Sequence, residues 1–255
     1  MRSIRATLED FIREHVKKSK ANGVIIGLSG GLDSAVVSKL CCDALGSENV
    51  LNFYIPSDTS LDRDFRDARD LCNLTGAELQ VINICQVMDA FQSILPNMDQ
   101  GDMAGNVMAR CRMIILYHHA RINGRVVMGT TNKSERMIGY FTKFGDGGAD
   151  FYPLGSLYKT EVIKLAYEIG VPRNIINKAP SAGLWRDQTD EVDIGMSYDE
   201  LDKILICIGK GLDDESIASN TSISKEKISR ARSMYINSMH KRQMPPVPTL
   251  TNQDL

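Results

Sequence analysis

The sequence predicts an α/β protein: a doubly wound parallel sheet of about five strands with flanking helices, then a helical C-terminal part. Three observations predict it. A glycine-rich turn, Gly27-Leu28-Ser29-Gly30-Gly31-Leu32-Asp33-Ser34, links the apolar run Val24-Ile25-Ile26 to the helix-like stretch Ala35-Val36-Val37-Ser38-Lys39-Leu40. Further short apolar runs alternate with amphipathic stretches, the order of a parallel sheet with right-handed crossovers. From Lys159 onward the readable periodicity is helical.

The elements follow in order. Ile4, Leu8, Phe11, Ile12, His15 and Val16 recur at helical spacing and predict a helix that covers the sheet, with His15 a face residue. Its opening, Met1 to Arg5, lacks the apolar core of a signal peptide. Residues 24–28 form a first strand, apolar throughout as a strand buried on both faces should be. The helix after the turn ends near Gly46, and Cys41 and Cys42 on it read as small buried apolar residues. Residues 50–55 are the second strand, stopped by Pro56. Ser57-Asp58-Thr59-Ser60 offers N-caps for a helix over 62–75. Its dense charges read as a solvated face, with an arginine near its start as a possible ligand contact.

Residues 79–84 are the third strand. A short helix over 87–95, a loop over 96–105 and a long helix over 106–122 follow, ended by Gly124. Arg110 and Arg112 do not share a helical face, and the adjacent His118 and His119 cannot chelate together from a helix. Residues 125–129 are the fourth strand, and Phe151-Tyr152-Pro153-Leu154 offers a short fifth. Lys159 begins a helix that Gly170-Val171-Pro172 stops. The irregular stretch after Lys178 suits a lid, in which Trp185 either caps a ligand or packs the lid itself. Helices over 198–208, 213–220 and 224–239 precede a basic, proline-extended tail: a loose end or an arm for a bound anion.

At 255 residues the chain is one large domain or two small ones. The formal net charge of −2 provides no overall field toward nucleic acid or a membrane surface, so neither is expected as a partner. No apolar run reaches the length of a membrane span. Six cysteines include no Cys-x-x-Cys pair, so no zinc knuckle or dithiol motif is written, and a reduced, cytoplasmic setting is expected.

The turn at 27–34 carries the chemistry. Backbone N–H groups at a helix start form an anion cradle, and adjacent glycines let a ligand approach the backbone. Ser29 and Ser34 add hydroxyls. Asp33 repels a bare phosphate but fits if it holds a magnesium ion that phosphates share. No lysine follows Gly31 and no Gly-x-Gly-x-x-Gly occurs, so this is neither the kinase-type loop nor the dinucleotide fingerprint. A second loop, Gly129-Thr130-Thr131-Asn132-Lys133-Ser134-Glu135 and then residues 139–150, falls at the same sheet edge. Long loops in compact domains tend to be functional. Two carboxylates, Asp33 and Glu135, with Lys143 and Lys159 suggest attack at phosphorus, with metal and cations neutralising the developing charge. A loop that wraps pyrophosphate favours splitting between the α and β phosphates, which adenylates an acceptor. An adenylated carboxylate is then open to an amine. No cysteine nucleophile, Ser–His pair or zinc set is needed.

Ser29-Gly-Gly-Leu-Asp33-Ser34 resembles the signature of the ATP pyrophosphatases, a superfamily with the adenine nucleotide alpha hydrolase-like fold. Further stretches resemble NAD synthetase: Asn106 to Met113, Gly129-Thr130 with Glu135 beyond, Phe141-Thr-Lys143-Phe-Gly-Asp-Gly-Gly-Ala-Asp150, Pro153-Leu154 before Lys159, residues 195–200, and His240-Lys241-Arg242-Gln243. The resemblance runs in order along nearly the whole chain and implies one NAD synthetase domain over 1–255. It implies a homodimeric ligase that adenylates the nicotinate carboxylate of nicotinic acid adenine dinucleotide with ATP and Mg2+. Ammonia then amidates the adenylate to NAD, releasing AMP besides pyrophosphate. By matching motifs, Gly27, Leu28, Ser29, Gly30, Gly31, Leu32, Asp33, Ser34, Thr130, Lys159 and Ser181 would bind ATP. Asp33 and Glu135 would hold magnesium, and Arg112, Lys143, Asp150, His240 and Lys241 would contact the dinucleotide. Asp33, Lys143 and Lys159 are the expected catalytic groups. Many bacterial members read Asp-His at Thr131-Asn132, and Thr at Ser181. The length leaves no room for a glutamine-hydrolysing domain, so free ammonia, or ammonia from a separate protein, is expected.

Two other readings stand beside this one. A tRNA thiolase or lysidine-type ligase would need a basic surface or paired cysteines, and a non-catalytic nucleotide sensor need not keep metal carboxylates.

Overall fold

The computed structural model describes residues 3–185 and 188–249, so Met1 and Arg2 of the helix opening lie outside the described residues. Helix α1 (Ile4–Lys18), strand β1 (Val24–Gly27), helix α2 (Leu32–Leu45), strand β2 (Val50–Tyr54), helix α3 (Asp62–Thr75) and strand β3 (Glu78–Val81) alternate as the periodicity requires. Helices α4 (Cys85–Ile94) and α5 (Gly101–Asn123) lead to strand β4 (Val126–Met128). Then come α6 (Lys133–Ile138), α7 (Lys159–Glu168), α8 (Arg173–Ile176), α9 (Asp190–Ile194), α10 (Tyr198–Gly209), α11 (Asp214–Thr221), α12 (Lys225–Asn237) and α13 (Met239–Arg242).

The strands pair in parallel in the order β3-β2-β1-β4, with Val24 opposite both Val50 and Val126. The winding therefore reverses between β1 and β4, and the loops leaving these two strands flank the crevice where ligands bind in such sheets. The sheet has four strands rather than about five. The expected fifth is a single parallel bridge between Phe151 and Met128. Two backbone bonds form, Asp150 N–H to Val127 O at 3.0 Å and Gly129 N–H to Phe151 O at 2.8 Å. Pro153 then has no N–H to extend the ladder, and a turn closes from Gly155 N–H to Tyr152 O at 3.0 Å.

Alternate residues of β1 serve opposite faces, as pleating dictates. Val24 and Ile26 pack with α1, α2, α3, α7 and α8 through Ile12, Leu40, Leu71, Val162 and Ile175. Ile25 joins Leu51, Phe53, Ile84 and Met108 under α4 and α5. A second core, built by Ile138, Leu201, Leu205, Ile217 and Ile228, knits α6 to the C-terminal helices. His15 stacks on Phe11 at 4.1 Å and His119 on Phe53 at 4.6 Å, so both are packing residues. Helix α5 starts at Gly101, earlier than its periodicity indicates. Gly101 and Gly105 are tolerated in it because Trp185 and Leu184 lie directly against them: a Cβ on Gly105 would sit 2.8 Å from Leu184 Cβ. Trp185 thus packs the lid stretch onto α5.

Candidate active site

The loop between β1 and α2 is shaped by glycine and serine. Leu28 N–H makes a last sheet bond to Phe53 O at 2.8 Å, and the chain then turns. Gly30 has φ +79°, and a Cβ there would lie 2.3 Å from the Asp64 carbonyl oxygen, so both its conformation and the close approach of α3 require glycine. Ser34 Oγ donates to Gly31 O at 3.0 Å and accepts from Ser29 N–H at 3.2 Å, while Ser29 Oγ accepts from Gly31 N–H at 3.2 Å. Gly31 is the N-cap of α2 and supplies no side-chain acceptor to the helix's first N–H groups. That end is therefore open to an anion.

Asp33, in the first turn of α2, meets the two loops beyond β4. The Lys159 ammonium pairs with Asp33 Oδ2 and lies 3.8 Å from Glu135 Oε1. Asn132 Nδ2 donates to Asp33 Oδ1 at 3.2 Å. Asn132 also starts α6: Glu135 N–H donates to Asn132 Oδ1 at 3.0 Å and Asn132 N–H to Glu135 Oε2 at 3.1 Å, a reciprocal capping box. The Tyr198 hydroxyl reaches Glu135 Oε1 at 3.4 Å and Asp190 Oδ2 at 3.0 Å. Asp202 on α10 fixes the start of α7: it accepts Thr160 N–H at 2.9 Å and the Ser134 hydroxyl, which itself accepts Lys159 N–H at 3.0 Å.

The electrostatics follow from burial. Desolvation, then the nearby Asp33 charge, pushes the Glu135 carboxyl up to about 8. Desolvation raises Asp190 as well. Burial alone disfavours the Lys159 cation, but Asp33, Glu135 and Asp190 together outweigh it and hold its pKa above the usual lysine value. Three carboxyl groups thus face one ammonium. Among the described residues no group of three His, Cys, Asp or Glu side chains is arranged to hold a metal ion by itself. The donor set fits magnesium bound through one or two carboxylates, with water and phosphate oxygens completing the shell.

A second cluster gathers several of the expected dinucleotide residues. Lys143 Nζ donates to His240 O at 2.8 Å. Lys241 Nζ donates to Gly139 O at 2.7 Å and Phe141 O at 2.8 Å. Burial lowers the Lys241 pKa, partly opposed by Asp146, and the same Asp146 acts on Arg112. Arg112 Nε is fixed by Ile55 O at 3.0 Å, just past the carboxyl end of β2. The tail as far as Arg242 is therefore clasped to the 139–143 segment.

Other expected residues stand apart. Asp150 clamps the sheet, accepting Val127 N–H at 2.8 Å and the Tyr117 hydroxyl at 3.3 Å. Thr130 lies two residues past β4. The Ser181 hydroxyl accepts Gly183 N–H at 3.1 Å in the lid stretch. Near the start of α3, Arg63 is exposed and lies 3.9 Å from Asp64, while Asp64 and Asp67 bind Lys178 beneath Gly30. Sequence reasoning missed Asn132, Lys178, Asp190, Tyr198 and Asp202. Only Asn132 left a local signal, the Asn-x-x-Glu spacing of a capping box.

The NAD synthase family model matches residues 4–245. An NH(3)-dependent NAD(+) synthetase from Archaeoglobus fulgidus is 46% identical over 243 residues, covering 93% of this chain and 93% of that protein. Among solved structures, an NMN synthetase from Francisella tularensis aligns with a TM-score of 0.87 at 36% identity, over 97% of this chain and 98% of that one. An NH3-dependent NAD synthetase from Campylobacter jejuni, in complex with the nitrate ion, aligns with a TM-score of 0.83 at 33% identity, over 96% and 97% of the two chains. With likeness this extensive, and a site built at the β1–β4 switch from motifs along the whole sequence, the chain belongs to the NAD synthase family.

Proposed function

We propose that the protein is an ammonia-dependent NAD synthetase acting on nicotinic acid adenine dinucleotide. The observation that carries this is the buried Lys159 ammonium, held by Asp33 and beside Glu135 at the open end of α2. In this reading Gly27 to Ser34, Thr130, Lys159 and Ser181 bind ATP. The nicotinate carboxylate oxygen forms a bond to the α-phosphorus while the bond to the bridging oxygen breaks and pyrophosphate leaves. Ammonia then adds to the acyl carbon and loses a proton, and AMP departs. Lys159 offsets charge that develops on the phosphates, in a buried place where such an interaction is strong. Asp33 and Glu135 would hold Mg2+, which when bound adds further positive charge at the phosphates. Arg112, Lys143, Asp150, His240 and Lys241 are assigned to the dinucleotide. Arg112 and Lys143 stand at the carboxyl end of β2 and against the tail, which supports an acidic substrate there.

Residues of α2, α6, α7 and α10 together complete this one site, which supports treating 1–255 as a single functional unit. Exposed Ile94, Ile114 and Ile122 on α4 and α5, between 60% and 72% accessible, support a homodimer. Among the described residues no helix is long and apolar enough to cross a membrane.

A second reading changes only the substrate. The likeness to an NMN synthetase favours testing nicotinic acid mononucleotide as the acceptor. Incubation with Mg-ATP and ammonium, and either acid separately, decides between them: AMP forms with the true acceptor, and the product is NAD or the mononucleotide amide. No AMP with either substrate sinks both readings.

A further inference from the structure

Lys178 joins pieces of chain that are far apart in sequence. Its ammonium donates to the Gly30 carbonyl at 2.8 Å and to Asp64 Oδ1 at 2.9 Å, and it pairs with Asp67 Oδ2. Asp67 is held in turn by the Asn174 side-chain amide at 2.6 Å. Gly30 is the turn of the 27–34 loop. Asp64 and Asp67 lie on the first two turns of α3, and Asn174 lies on α8. Lys178 itself opens the irregular stretch that carries Ser181. The cluster is largely buried, with the Lys178 side chain 15% and the Asp67 side chain 12% accessible.

Its position matters because of peptide planarity. The Gly30 carbonyl and the Gly31 N–H belong to one trans peptide, so fixing the first direction fixes the second. With the carbonyl drawn to Lys178, the Gly31 N–H points to the other side, where it meets Ser29 Oγ at 3.2 Å at the start of α2. Glycines on both sides leave this peptide few restraints of its own. A charge-assisted hydrogen bond to its carbonyl supplies the missing restraint. Gly30 O, Asp64 and Asp67 take up the three N–H donors of Lys178, so none is left over for a phosphate.

We propose that Lys178 is a positioning residue for the nucleotide: gripped by Asp64 and Asp67, it locks the Gly30–Gly31 peptide, and with it the Ser29 contact at the open end of α2, and ties that lock to the base of the 178–185 stretch. The proposal rests on the 27–34 loop being the ATP site. It acts through the loop and not through the dinucleotide cluster around Lys143 and Lys241, so the two substrates should respond differently.

The test is titration calorimetry with Mg-ATP, combined with steady-state KM values for both substrates, on the wild type and three variants. Lys178→Met should weaken ATP binding by about tenfold or more, the size of one charge-assisted hydrogen bond. The KM for the dinucleotide should stay within about twofold, since no charge of that cluster is altered. Lys178→Arg, which keeps the charge and donors, should restore most of the ATP affinity. Asp67→Asn should shift ATP binding in the same direction as Lys178→Met, and it carries the test if the methionine variant does not fold. Unchanged ATP affinity in a folded variant, or equal weakening of both substrates, overturns the proposal. A wild type that binds no Mg-ATP overturns the reading of the loop, and the proposal with it.

Discussion

Asn132 does two jobs with one amide: its Nδ2 donates to Asp33 Oδ1 at 3.2 Å, and its Oδ1 accepts Glu135 N–H at 3.0 Å. One residue thus sets both proposed metal carboxylates, Asp33 through its side chain and Glu135 through its backbone N–H, which donates to Glu135 Oε2 at 3.1 Å. Asn132→Asp keeps the cap acceptor but replaces the donor to Asp33 with a like charge, which disfavours ionisation of the pair. Asn132 is fully buried, so the new carboxylate has no compensating charge: the melting temperature should fall and kcat should drop at least about tenfold. Asn132→Ala should lose about 1 kcal/mol of stability as well. Calorimetry and initial rates check this, and a fully active Asn132→Asp would show that only the cap matters.

Lys159→Met leaves Asp33, Glu135 and Asp190 around a buried position with no cation. Removing one partner of a buried charge set costs about 3–5 kcal/mol. The expected outcome is a lowered melting temperature and a loss of turnover of about a thousandfold or more. Mg2+ without nucleotide should raise the melting temperature of this variant more than that of the wild type, because the ion replaces some of the lost charge. Equal magnesium responses would count against Asp33 and Glu135 as metal groups.

These two residues differ in how visible they are from the chain alone. The β1 turn and the helix begun by Lys159 rest on local pattern, and both elements form where that pattern puts them. Lys178 and Asp202 do not. Lys178 meets Gly30 across 148 positions, and Asp64 and Asp67, which hold it, sit in a charge-rich helix that reads as solvated. Asp202 looks like any polar residue of an amphipathic helix, yet packing turns it inward to the start of α7. Tertiary pairing of this kind leaves no periodicity. The missing fifth strand is a different case: Pro153 within the apolar run was the local sign that the ladder stops.

Gly30→Ala tests the loop itself. A left-handed backbone costs a non-glycine residue about 1–2 kcal/mol, and here the new Cβ would also lie 2.3 Å from Asp64 O. The variant should melt at a lower temperature and lose ATP affinity, because relief of the clash moves either the turn or α3. Retained affinity would mean that the loop adapts around its ligand.

The proposed dimer is open to a direct measurement. Light scattering should give twice the 28.3 kDa chain mass for the wild type. Ile94→Glu and Ile114→Glu should shift it toward the monomer, since a buried unpaired charge opposes association. A monomeric wild type at micromolar concentration would remove the dimer from the reading.

Gly105→Ala separates helix stability from lid seating. In the interior of α5, alanine is favoured over glycine by about 1 kcal/mol. The added methyl, however, would stand 2.8 Å from Leu184 Cβ and 3.0 Å from Leu184 Cδ1, and a Cβ cannot swing aside as a side-chain tip can. The cheapest relief is to move the lid stretch, which is otherwise fastened near this point by a 3.1 Å bond from Thr59 Oγ1 to Gly183 O, a 2.8 Å bond from Leu184 N–H to Gln188 Oε1 and the packing of Trp185 on Gly101. The global melting temperature should therefore hold or rise slightly, while limited proteolysis cuts the 178–185 stretch faster and the KM for ATP increases. Slower cleavage with an unchanged KM would mean that Leu184 repacks locally and that its seat on Gly105 has no part in holding the lid.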